Sequence, residues 1–183
     1  GGAALANARL YARTRELAPR DGVTGIYNHR HFFELLEAEI SRSERHNLPL
    51  AVIMLDLDRG DSADGMTNRG VGLKAINDTF GHQAGDRLLR EVAGYLASTV
   101  RRADTIARYG GDEFAILAPQ TGCDDALALA KRVRRQLGQA AFDVAGTPVR
   151  LTASVGVSVF RPGTGDTAGA VVSRADQGLY LAK

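Results

Sequence analysis

The sequence predicts an α+β fold: an antiparallel-containing central sheet with a β-α-β-β-α-β core and extra helices. Three observations carry that prediction. The run Leu50-Ala51-Val52-Ile53-Met54-Leu55-Asp56-Leu57 is apolar almost throughout and of strand length, the pattern of a buried central strand. Two short apolar stretches flank Gly110-Gly111, residues that tolerate positive φ and so mark a tight hairpin. Stretches with apolar residues every three or four positions alternate with these strands, as amphipathic helices do.

Residues 1–18 read as a polar, Ala- and Arg-rich helix, too thin in large apolar side chains to pack alone. They fit the end of a stalk or linker from an upstream module, stopped by Pro19. The second unit is 19–183. After the turn Asp21-Gly22-Val23-Thr24-Gly25, a helix over 29–46 buries Phe32, Phe33, Leu36 and Ile40. The strand over 50–57 ends at Asp56 and Asp58, and carboxyl ends of buried strands are where open sheets place ligands. A Gly-rich loop over 59–72 leads to a helical turn over 73–80 and a helix over 84–100 with Leu88, Leu89, Val92 and Leu96 inward. Strands over 105–109 and 113–118 form the hairpin. A helix over 124–137, a strand pair over 142–144 and 149–160, and a helix from 168 to the end complete the unit, with the helices expected on one face of the sheet.

Composition bounds the function. A chain of 183 residues with 44% hydrophobic and 24% charged residues is globular, which excludes disorder. A net charge of +2 is too small to suggest a nucleic-acid surface from composition alone, and no nucleic-acid partner is expected. One cysteine, Cys123, excludes an intrachain disulfide and a Cys-based zinc site, and none of the 4 histidines has H-E-x-x-H spacing. No apolar run approaches the roughly 20 residues of a membrane span, and no signal peptide is visible. A cytoplasmic location is expected, with any membrane attachment of the full-length protein supplied by other parts of it.

The chemistry begins at the hairpin. Asp112 and Glu113 follow the two glycines directly, and like charges side by side have a physical use when a divalent cation offsets their repulsion. A solvated acidic turn is the plain alternative. Asp56 and Asp58, at the end of the neighbouring strand, shift the balance toward a magnesium site with open positions for phosphates. In the segment 74–86, Lys74 suits a phosphate charge, while Asn77 and Asp86 offer the donor and acceptor pattern of a purine reader. Each of these alone fits a turn, a cap or a surface residue.

Together, Arg108-Tyr109-Gly110-Gly111-Asp112-Glu113-Phe114, Asp56-Leu57-Asp58, Asn77-Asp78 and Gly81-His82-Gln83-Ala84-Gly85-Asp86 resemble the GGDEF domains of bacterial diguanylate cyclases. The resemblance runs from Asp21 to Lys183 and implies a fold like that of nucleotidyl cyclase and polymerase palm domains. It implies condensation of two GTP into cyclic di-GMP by two domains meeting as a homodimer, with Mg2+ (or Mn2+) as cofactor. By that similarity Asp56, the Leu57 carbonyl and Asp112 bind the metal, and Asp112 or Glu113 helps deprotonate the attacking 3′ hydroxyl. Lys74 stabilises phosphate charge, Asn77, His82 and Asp86 hold the guanine end, Gly110 and Gly111 bring backbone to the substrate, and Lys183 contacts the γ-phosphate. Arg101-Arg102-Ala103-Asp104 matches the family's R-x-x-D site for inhibition by product, and Arg132 falls where a further arginine often joins it. A sensory module joined through the N-terminal helix is implied upstream.

The sequence departs from this family twice. The family has a short turn between Asp58 and Lys74, where this chain has the enlarged loop 59–73, at the place where backbone amides cradle the phosphates. Asp56, Asp58, Asp61 and Asp64 do not make an EF-hand, because Gly60 stands where that loop needs Asp or Asn. Family members also continue past the position of Lys183 with a basic residue and a closing strand, so the resemblance implies a truncated end. Two readings stay open: an active diguanylate cyclase, or a catalytically silent domain that binds GTP or cyclic di-GMP and signals through a partner.

Overall fold

The structure, a computed structural model, describes residues 18–58 and 72–183. The stalk expected over 1–18 and the enlarged loop therefore lie almost wholly outside the described residues. The elements in chain order are β1 (Tyr27–Asn28), α1 (His29–His46), β2 (Leu50–Asp58), α2 (Leu73–Phe80), α3 (His82–Thr99), β3 (Thr105–Arg108), β4 (Glu113–Pro119), α4 (Cys123–Gln139), β5 (Phe142–Val144), β6 (Thr147–Val149), β7 (Thr152–Phe160) and α5 (Ala168–Ala182). The α+β class holds. Five strands form one sheet in the order β1-β3-β4-β2-β7, antiparallel throughout except where β1 runs parallel to β3. Strand β1 was not anticipated, because two residues between a turn and a helix carry no periodicity.

The expectation of helices on one face is overturned. Along β2, Ala51, Ile53, Leu55 and Leu57 point into a core shared with α2, α3 and α4, while Leu50, Val52 and Met54 point into a second core shared with α1 and α5. A strand whose two side-chain phases are both apolar must be covered twice.

The strand expected over 149–160 divides. Its first residue belongs to β6, which pairs with β5 in a separate two-stranded sheet; Arg150 and Leu151 lie in neither strand, and residues 152–160 are β7, paired along its length with β2. The tight two-residue turn with positive φ is in this small hairpin, at Ala145 (φ 53°) and Gly146 (φ 85°). Gly110 and Gly111 do not have positive φ, so that hairpin is not the primed turn expected there.

Local signals set the boundaries well. The Asn28 side chain accepts from the His31 amide to cap α1, and Asn47 ends the helix in the left-handed conformation. Gly81 (φ 84°) separates α2 from α3, its amide donating to the Asn77 carbonyl. Gly156 answers to a different demand. A Cβ there would lie 2.0 Å from the Ala175 carbonyl oxygen and 2.3 Å from the Leu179 nitrogen, so α5 rests directly on the backbone of β7.

Candidate active site

Register brings the acids together. Asp56, near the end of β2, faces Glu113 on β4 and Ser154 on β7, and the Leu57 amide donates to the Asp112 carbonyl at 3.1 Å. Asp56, buried Leu57, Asp112 and Glu113 therefore share one end of two adjacent strands. The Glu113 carboxyl is raised above its ordinary range, first by burial and then by Asp56, with Asp176 and Asp112 adding to the shift and Lys183 opposing it. Lys183, at the end of α5, donates to Asp56 Oδ2 at 2.6 Å. That contact keeps the lysine charged, its pKa raised by the hydrogen bond to Asp56 despite some desolvation.

The turn itself is anchored from behind. The Arg108 guanidinium donates twice to the Gly111 carbonyl, at 2.8 and 3.1 Å, and pairs with Asp21 at 3.2 Å. Burial by itself would raise the Asp21 carboxyl, but it accepts from the Thr24 hydroxyl and amide and from Arg108, and these hold it below its usual range. The need at Gly110 is spatial, since a Cβ there would come within 2.5 Å of Glu113 Oε2. Tyr109 packs against His29 with ring centroids 4.4 Å apart, and its hydroxyl is raised by burial, then by Asp176 and Glu113.

Lys74, Asn77, His82 and Asp86 form a second group on α2 and α3. Lys74 and His82 are exposed, and Asn77 and Asp86 are half-buried. The Asn77 amide oxygen is buried without a hydrogen-bond partner among the described residues and packs where a side chain at Gly85 would have to go. No hydrogen bond or ion pair joins this group to the acids among the described residues. The segment that separates them in sequence, 59–71, lies outside those residues.

A third group surrounds a cavity of about 230 Å³ lined by Arg101, Asp104, Thr121, Asp125, Leu129 and Arg132. The Asp104 carboxylate accepts from the Arg101 amide at 2.9 Å, and the guanidinium of Arg101 makes no ion pair among the described residues. Arg132 donates to the Thr99 carbonyl at 3.3 Å, and its Nε is buried without a partner among the described residues.

The family described as Diguanylate cyclase, GGDEF domain matches residues 18–183. The chain belongs to that family. It is 39% identical over 170 residues to the response regulator PleD of Caulobacter vibrioides, covering 92% of this chain and 34% of that protein. Among solved structures, diguanylate cyclase SiaD of Pseudomonas aeruginosa, in complex with its activator SiaC, is 36% identical with a TM-score of 0.77, covering 99% of this chain and 66% of that one. The coiled coil and GGDEF domain of DgcB from Caulobacter crescentus, in complex with c-di-GMP, is 26% identical with a TM-score of 0.75, covering 98% of this chain and 88% of that one. The chain thus spans about a third of the length of PleD.

Within this GGDEF domain, reading the sequence missed the roles of Asp21, Arg108, Asp176 and Gly156. Asp21 and Arg108 were visible as motif residues, but their pairing joins distant segments. Gly156 had a usable signal, an isolated glycine inside an apolar strand.

Proposed function

We propose that this GGDEF domain condenses two GTP into cyclic di-GMP, two domains meeting face to face with one GTP on each. The observation that carries this reading is the meeting of Asp56, Asp112 and Glu113 on adjacent strand ends, where burial first, and then the neighbouring carboxylates, raise Glu113. Hard oxygen donors of this kind suit Mg2+ or Mn2+, which Asp56, Asp112 and the Leu57 carbonyl would hold, although no three His, Cys, Asp or Glu side chains converge closely enough to cage an ion among the described residues. When bound, the cation neutralises phosphate charge and acidifies the attacking hydroxyl.

The chain's own residues do the rest. Glu113 or Asp112 takes the proton of the 3′ hydroxyl, whose oxygen attacks the α-phosphorus of the opposing GTP as pyrophosphate leaves; the same step repeated closes the ring. Lys74 and Lys183 stabilise phosphate charge, and Gly110 and Gly111 leave room for the substrate beside the turn. Asn77, His82 and Asp86 hold the guanine. Catalysis is positioning and charge neutralisation.

Product inhibition at Arg101, Asp104 and Arg132 is the regulatory part of the same proposal. A cavity bounded by two arginines with spare donor capacity supports it, as does the c-di-GMP complex of DgcB. Residues 1–18 link the domain to an upstream sensory module.

The full-length protein incubated with GTP and Mg2+ is expected to release cyclic di-GMP and pyrophosphate, and Asp112→Asn to lower the rate by about 10³-fold. Nucleotide binding without product would overturn the cyclase reading. It would establish the silent nucleotide-binding module instead, which the enlarged loop beside Lys74 favours.

A further inference from the structure

The backbone that carries Lys183 is placed by architecture, while its side chain keeps a flexible stem. Gly156 lets α5 lie on the backbone of β7, and the Ser154 hydroxyl donates to the Ala182 carbonyl at 3.4 Å. Ser154 is also the residue opposite Asp56 in the sheet. The packing of α5 on β7 therefore brings Lys183 to the strand end where the acids meet.

At that place Lys183 is paired with the residue proposed as a metal ligand. Its ammonium is 2.6 Å from Asp56 Oδ2 and also feels Glu113 and Asp112, while its side chain is 44% exposed against 15% for Asp56. A half-exposed lysine on a long stem is readily displaced, and the carboxylate it covers is not readily moved. The same ammonium cannot neutralise Asp56 and a triphosphate at once.

We propose that Lys183 is a displaceable counter-ion of the acid group: it holds Asp56 until a divalent cation takes that carboxylate, and is then free to pair with the triphosphate. This rests on the metal-binding reading above. It makes metal entry and phosphate capture successive uses of one side chain.

The test is binding of Mn2+ alone, followed by the electron paramagnetic resonance of the free ion, in the parent chain, Lys183→Met and Lys183→Arg. Lys183→Met is expected to bind Mn2+ about three- to fivefold more tightly, since it removes an exposed competing charge. Lys183→Arg should return the affinity toward that of the parent. With Mn2+ and a non-hydrolysable GTP analogue the order reverses, Lys183→Met binding nucleotide more weakly than the parent. Thermal melts establish that each variant is folded. Equal Mn2+ affinity in parent and Lys183→Met would overturn the proposal, whereas absence of Mn2+ binding in all three would overturn the metal site itself.

Discussion

The acid group and the arginine cavity stand at the two ends of β3, and they are built in opposite ways. At the acid end, Asp56 and Glu113 are cross-strand partners, and the Leu57 amide reaches the Asp112 carbonyl. Their places follow from backbone register, which a side chain cannot escape. At the other end, Arg101 and Asp104 occupy the loop before β3, and Arg132 reaches over from α4 to the Thr99 carbonyl. That cavity depends on long side chains meeting across separate elements. A site built on register is held by many backbone bonds, so its parts are hard to move but easy to crowd. One built on reaching side chains loses an identifiable piece with each substitution.

The largest effect should come from crowding the first site. Gly156→Ala places a methyl against the backbone of α5, and overpacking of this kind costs about 3 kcal/mol. For a chain of this size that lowers the melting temperature by roughly 6–12 °C, measurable by calorimetry. The Lys183–Asp56 contact should be lost with it, while cyclic di-GMP binding at the arginine cavity persists. If both sites fail together, the two regions are not independent.

Arg101→Ala is the converse, predicted to weaken cyclic di-GMP binding by about tenfold in calorimetric titration, as expected for losing hydrogen bonds from a charged donor. An unchanged affinity would remove Arg101 from the ligand site.

Asp21→Asn is the mildest, with an expected loss of about 1 kcal/mol in denaturant unfolding. The pH dependence gives it a signature. Because folding lowers the Asp21 carboxyl below its ordinary 3.8, its stabilisation is present above that value and is lost as the pH falls through the lower folded-state value. The difference between parent and variant should accordingly be full near neutrality and shrink below about pH 4. A constant difference would mean that the Arg108 pair contributes through packing alone.

The contrast also explains what could be read in advance. The helix over 29–46 was legible to the residue because Asn28, Arg45 and His46 mark its ends chemically. The acids were legible because adjacent positions on a hairpin and a strand end are recorded in local spacing. Helices on two faces had a usable signal that was overlooked, because both side-chain phases of the run 50–57 are apolar and each phase needs its own cover. The split at Arg150-Leu151 was missed because the bulk of Val149 and Leu151 looks like continuous strand. The Arg108–Asp21 pair bridges 87 positions, a distance at which single-sequence patterns carry nothing.

That pair has a consequence for building chimeric proteins. Asp21 lies a few residues from where the chain enters the domain, yet it grips the arginine that carries the Gly111 carbonyl. The Asn28 side chain binds the Ala18 carbonyl, and β1 runs alongside β3. The segment from Ala18 to Asn28 is thus part of the mounting of the Gly110-Gly111 turn, not spare tether. A foreign module spliced before Ala18 would inherit that mounting whole, and one spliced at Asn28 would receive a loop cut loose from its frame.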